Sequence, residues 1–170
     1  MTNKQQILIY GYGNPGRQDD GLGSLLIEKA EKWVDKSNLS NITLDVNFQL
    51  QVEDVTIMQD KDLILFVDAS MDETVSEFKM VPVQADPRAT FTMHAVSPEY
   101  LLALCRKVYG KNPPAYLLHI RGYEWNLDES LTPSARQNLE NAWSWLRDIL
   151  SDPEKLEEII ERTATTNPGN

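Results

Sequence analysis

Two adjacent carboxylates, Asp19 and Asp20, stand among glycines in the stretch Gly11-Tyr12-Gly13-Asn14-Pro15-Gly16-Arg17-Gln18-Asp19-Asp20-Gly21-Leu22-Gly23. The stretch follows the apolar run Ile7 to Tyr10 and precedes a helical pattern, so it leaves the carboxyl end of a buried strand, where open α/β sheets bind their ligands. Acids at that place suit a cation or a proton transfer. A phosphate suits it less, although Gly11, Gly13 and Gly16 satisfy the dinucleotide spacing G-x-G-x-x-G. A pyrophosphate sits on the amides of a helix N-terminus; here Asp19 and Asp20 repel it there and Pro15 withholds a donor. Asp68 closes the most continuous apolar run of the chain, 62–68, as in a central parallel strand ending in a carboxylate. There is no Gly-x-Ser-x-Gly elbow and no His-Glu-x-x-His helix, and Cys105 falls mid-helix. Serine, zinc-helix and cysteine protease designs therefore lack support.

The elements that must position these residues follow from periodicity and punctuation. Strands are expected at about Gln6 to Gly11, at Ile42 to Phe48 by alternation, at 62–68, at Glu77 to Val83, and at Ala115 to Arg121. Helices are expected from Leu22 to about Val34, from Ser97 to about Tyr109, and from Thr132 to about Leu150, with a short turn of helix at Val52 to Met58. Ser97-Pro98 and Thr132-Pro133 each supply an N-cap followed by proline in the first turn, and Gly110 stops the second long helix. A short acidic helix follows Pro153. Trp143, Leu146, Ile149 and Leu150 form a core stripe, whereas Tyr123, Trp125 and Trp145 are candidates for an exposed aromatic patch.

Alternating strands and helices predict an α/β fold. We expect a single three-layer domain over residues 1–162, with a mostly parallel twisted sheet of about five strands, helices on both faces and a phosphorylase/hydrolase-like plan. Residues 163–170 are expected to be a frayed tail. The 170-residue length suits one domain. No stretch approaches the roughly 20 apolar residues of a membrane span, and residues 1–10 lack a signal-peptide pattern. One cysteine, Cys105, supports neither an internal disulfide nor a thiolate cluster. A cytoplasmic protein without a membrane partner, expected to be a monomer, follows. A net charge of -10 and a pI near 4.6 argue against nucleic acid as a partner.

Two enzyme families resemble parts of this pattern. Gly13-Asn14-Pro15-Gly16 is similar to the opening motif of peptidyl-tRNA hydrolases, but the histidine-asparagine pair that follows in that family is Arg17-Gln18 and onward here. A wider resemblance links Gly-x-Gly-Asn, Asp19-Asp20-Gly21-x-Gly23, Val67-Asp68-Ala69, His94, Ile120 to Glu124 and Leu131-Thr132-Pro133 to the nickel-iron hydrogenase maturation endopeptidases. It spans roughly residues 6–145 in order. Such enzymes remove a C-terminal peptide from the nickel-loaded large-subunit precursor of a hydrogenase, which would then be the partner. The resemblance implies that Asp20, Asp68 and His94 form the catalytic and metal site, with Asp20 standing where many members carry Glu.

Loops leaving neighbouring strands about 4.8 Å apart can bring two carboxylates together. Two oxygens and one imidazole suit nickel, zinc or iron and leave coordination positions open. Nickel arriving with the substrate is the implied ligand, with cadmium or zinc as in vitro occupants. A bound water, activated by the metal or by a carboxylate base, would attack the peptide bond, with the amides near Gly13 and Asn14 as candidates to polarise its carbonyl. Asp19 is expected to support the loop through hydrogen bonds to amides, and His119 to be packed within its strand. A non-catalytic module binding a metal-loaded partner or a nucleotide is the alternative outside enzymes.

Overall fold

The computed structural model describes residues 4–89, 91–92 and 95–166. Among the described residues seven strands and four α-helices follow one another as β1 (Ile7–Tyr12), α1 (Leu22–Ser37), β2 (Ile42–Asn47), β3 (Leu63–Ser70), β4 (Phe78–Pro82), β5 (Phe91–Thr92), β6 (Ala95–Val96), α2 (Pro98–Tyr109), β7 (Ala115–Arg121), α3 (Pro133–Leu150) and α4 (Pro153–Thr166). Short 3-10 turns span Gln18–Gly21 and Val52–Ile57. Five strands form one sheet in the order β2-β1-β3-β7-β4. All pairings are parallel except that of β4 with β7. The expected α/β class, five-stranded and mostly parallel sheet and two-sided helical cover are all present.

Residues alternate across the sheet and divide the core in two. Ile7, Ile9, Leu65, Val67 and Ile120 face α1 and α3, where Leu26, Ile27, Leu139, Ala142 and Leu146 meet them. Leu8, Tyr10, Ile64, Phe66 and Leu117 face α2, which supplies Leu101, Leu102 and Cys105. Covered on both faces, β1 and β3 have no solvent side to mark with polar residues, hence their continuous apolar runs. Ser97 and Thr132 cap α2 and α3 by accepting the amides of Tyr100 and Ala135 at 3.2 Å. Gly110 ends α2 at a positive φ of 66°.

Three boundaries differ from expectation. β3 runs two residues past Asp68 because Asp68, Ala69 and Ser70 keep pairing with β7. The β5–β6 pair is too short to show a period in sequence. α4 continues to Thr166, inside the segment expected to be a tail, and its Leu156, Ile159 and Ile160 pack on the core. Among the described residues no helix is long and apolar enough to cross a membrane.

The sheet order reverses between β1 and β3: the chain goes from β1 outward to β2, then crosses back to β3 on the other side. That switch point opens a crevice at the carboxyl edge. The loop carrying Asp20 leaves from there, and Asp68 lies near that edge on β3, two residues before the strand ends.

Candidate active site

Glycine makes the close approach at this edge possible. Gly23 opens α1 against the sheet, and a β-carbon on it would lie 2.6 Å from the Tyr12 carbonyl oxygen and 2.7 Å from that of Val67. Gly13 has φ +133°, and a β-carbon there would meet the Asp20 carbonyl oxygen at 2.1 Å. α1 therefore begins directly over the β1–β3 crevice, with the acidic turn folded back onto β1.

Within that turn the two acids take different roles. Asp19 is fully buried. Its carboxylate accepts the amides of Tyr123 at 2.7 Å, Glu124 at 3.1 Å and Thr132 at 2.8 Å, and the Thr132 hydroxyl at 2.8 Å. Asp19 thus clamps the first loop to the one after β7, as expected of a loop-supporting acid. Gln18, held at φ +46°, adds bonds to the Glu124 carboxylate and the Asn126 amide. Asp20 is half-buried and accepts one amide, that of Asn14, at 2.9 Å.

The amides considered for polarising a substrate carbonyl are already engaged. Gly13 N–H donates to the carbonyls of Asn47 and Phe48 at 3.2 and 3.1 Å. Asn14 N–H donates to Asp20, and the Asn14 side-chain oxygen accepts Gly16 N–H at 2.9 Å. In this structure the backbone N–H groups of Gly13 and Asn14 are thus spent within the loop, and of the two residues only the Asn14 side-chain amide offers a donor that these bonds do not use.

Asp20 lies within electrostatic reach of Asp68. Burial and, next, the negative charge of Asp20 push the Asp68 carboxyl up to about 7, against the Ala69 amide and the Tyr12 hydroxyl, which favour its ionised form. Tyr12 is the residue that sequence reasoning missed. Its hydroxyl hydrogen-bonds Asp68, and burial followed by the Asp68 charge raises its own pKa, so it stays protonated as a donor. The sequence signal was a tyrosine in phase with Leu8 and Tyr10 at the end of β1, on the same sheet face as Asp68.

His119 pairs in register with Asp68 on β7. Burial first, and Lys79 across the strand, lower its pKa, opposed by Asp72 and Glu99, so the imidazole is neutral near pH 7. Glu99, in the first turn of α2, also reaches Tyr12 electrostatically. His94 lies outside the described residues, between β5 and β6. Among the described residues no three His, Cys, Asp or Glu side chains gather closely enough to hold a metal ion. The expected aromatic patch is divided: Tyr123 is exposed, Trp125 is half-buried, and Trp145 packs on Phe78 with ring centroids 5.4 Å apart.

No protein-family model and no curated protein sequence matches the chain. Solved structures do. The hydrogenase maturation protease HycI from Thermococcus kodakarensis KOD1 superposes with a TM-score of 0.70 at 21% identity, covering 89% of this chain and 96% of that one. The maturating endopeptidase HybD from E. coli gives 0.70 at 17%, covering 86% and 92%. The chain has the fold of the hydrogenase maturation proteases. A second HybD, also from Thermococcus kodakarensis, is similar at a TM-score of 0.59 and 17% identity, over 85% and 98% of the two chains. The maturation-protease fold thus extends over most of this chain and nearly all of theirs.

Proposed function

We propose that this protein is an endopeptidase that removes a C-terminal peptide from a nickel-loaded hydrogenase large-subunit precursor. Asp20, Asp68 and His94 are the residues to which we assign recognition of the substrate-borne metal. The reading is supported by the placing of Asp20 and Asp68 at the switch point, where burial and the Asp20 charge disfavour ionisation of Asp68, a penalty that a cation would relieve. The fold shared with HycI and HybD supports the same activity.

A half-buried Asp68 that feels the like charge of Asp20 makes a poor resting anion, and the two together make a good cation receptor. Asp68 carries its proton near neutral pH and releases it when a cation binds, so recognition couples to proton release. Tyr12 orients the Asp68 carboxylate through its hydroxyl, and the Gly13–Asn14 turn does so for Asp20 through one amide. A cation held there supplies Lewis acidity to the scissile carbonyl or to an attacking water. His94, by the family resemblance, adds a nitrogen donor. Since the nickel belongs to the substrate, the acids distinguish a loaded precursor from an empty one.

The test is mass spectrometry of precursor incubated with the protein. Loss of the C-terminal peptide from nickel-loaded precursor supports the reading; an unchanged mass beside a precursor that a HycI-type protease does cut contradicts it. Binding without cleavage would instead assign the non-catalytic alternative.

A further inference from the structure

Beside the acid pair the same sheet edge holds a guanidinium that the proposed reaction leaves unused. Arg121 ends β7 two residues past His119 and pairs in register with Ser70, two residues past Asp68. By strand alternation its side chain leaves the sheet on the face that carries Tyr12, Asp68 and His119. Two contacts fix it. Nη1 donates to the Met71 carbonyl at 3.3 Å, and the guanidinium carbon lies 5.4 Å from the centre of the Tyr123 ring. That ring is itself held, since its hydroxyl accepts from buried Asn138 at 3.0 Å and its backbone amide donates to Asp19.

The opposite edge of the guanidinium, Nε with Nη2, is unclaimed. Nε is buried with no hydrogen-bond partner. Buried donors are nearly always satisfied, so an orphan of this kind marks a missing acceptor. Arg121 forms no ion pair among the described residues. Asp72, which feels the Arg121 charge without pairing with it, accepts the Thr74 amide and hydroxyl on one oxygen at 2.9 and 2.7 Å. Lys79, on β4 opposite His119, adds a second positive charge to this end of the edge in a protein of net charge -10.

We propose that Arg121 binds a carboxylate of the substrate segment that passes Asp68, through its Nε–Nη2 edge. A planar guanidinium held on a ring matches both oxygens of a carboxylate with little loss of side-chain freedom. Asp20 and Asp68 receive the cation at one end of the edge, and Arg121 receives an anion at the other. Two residues of strand and one strand spacing separate Arg121 from Asp68, about 8 Å. The carboxylate therefore belongs within about three residues of the point on the substrate that lies over Asp68, as an acidic side chain or a chain terminus.

The inference rests on the protease reading, and its experiment separates the two. In protein labelled with 15N-arginine, the Nε–H resonance that disappears in Arg121→Lys belongs to Arg121. Saturating N-acetyl-aspartamide, which carries a side-chain carboxylate, or N-acetyl-glycylglycine, which carries a terminal one, shifts that resonance downfield if the edge binds carboxylates. N-acetyl-asparagine amide leaves it in place. The stronger of the two carboxylate responses names the source. No shift with either carboxylate overturns the proposal. With cleavable precursor, Arg121→Gln raises KM about tenfold, the worth of one bidentate charged pair, and leaves kcat within about twofold. Arg121→Lys recovers part of the loss. Wild-type KM in Arg121→Gln overturns the carboxylate role while leaving the protease reading intact. A wild-type protein that binds the probes and cuts no precursor removes the protease reading alone.

Discussion

At the scale of single residues, Asp68 is the group whose environment departs most usefully from that of an ordinary carboxylate. Its carboxyl titrates near 7, against an ordinary 3.8, for two reasons of which burial is the larger and the Asp20 charge the second. Asp20→Asn removes the like charge, so 13C NMR should follow the Asp68 carboxyl to a lower pKa that still lies above 3.8, burial being unchanged. Tyr12→Phe works in the opposite direction: it deletes a donor to the ionised form, and the same resonance should titrate higher. Cadmium affinity measured by calorimetry should rise with pH through 7 in the wild type, because the cation displaces the Asp68 proton. In Asp68→Asn that pH dependence should vanish along with most of the affinity.

At the scale of elements, the site depends on how the loops after β1, β3 and β7 are fastened. Asp19 fastens two of them with four hydrogen bonds from a fully buried carboxylate. Asp19→Ala leaves buried amides of the β7 loop without an acceptor and should cost about 2–4 kcal/mol in chemical denaturation. Gly23→Ala forces α1 off β1 and β3, since its β-carbon meets backbone oxygens that cannot turn aside; a loss of about 1–3 kcal/mol is expected. Much of this scale was legible in sequence. β1 and β3 announced themselves as apolar runs because both faces are buried, and Ser97-Pro98 and Thr132-Pro133 marked helix starts because a cap and a fixed φ are local properties. Asp19 was legible as a loop support from its place among the glycines, whereas its partners in the loop after β7 are set by tertiary packing. The Tyr12–Asp68 hydrogen bond was not, because it depends on which strand lies beside β1 and in what register. The open edge of Arg121 was equally hidden, since a missing partner is a fact of tertiary packing. β5 and β6, two residues each, carry no period that a sequence can display.

For the whole molecule, the raised carboxyl of Asp68 ties stability to pH. The native state holds this proton up to about 7 and the unfolded chain releases it near 3.8. Between those values the native state binds more protons, so this group's contribution to stability is full below about 3.8 and declines as pH rises to 7. Thermal melts of Asp68→Asn, which has no such proton to lose, should therefore exceed the wild type at pH 8 by more than they do at pH 4. Part of the fold's stability is thus given up at the switch point, where natural proteins place strain for function. That cost is removed when a cation neutralises the pair.

Whether these acids read a metal on the substrate is decided by the mass of a hydrogenase large-subunit precursor, nickel-loaded or metal-free, after incubation with wild-type, Asp20→Asn and Asp68→Asn protein. The wild type should shorten only the nickel-loaded precursor, and each substitution should slow this by about 100-fold or more. Cleavage of the metal-free precursor at the same rate, or full-speed cleavage by both variants, would contradict it.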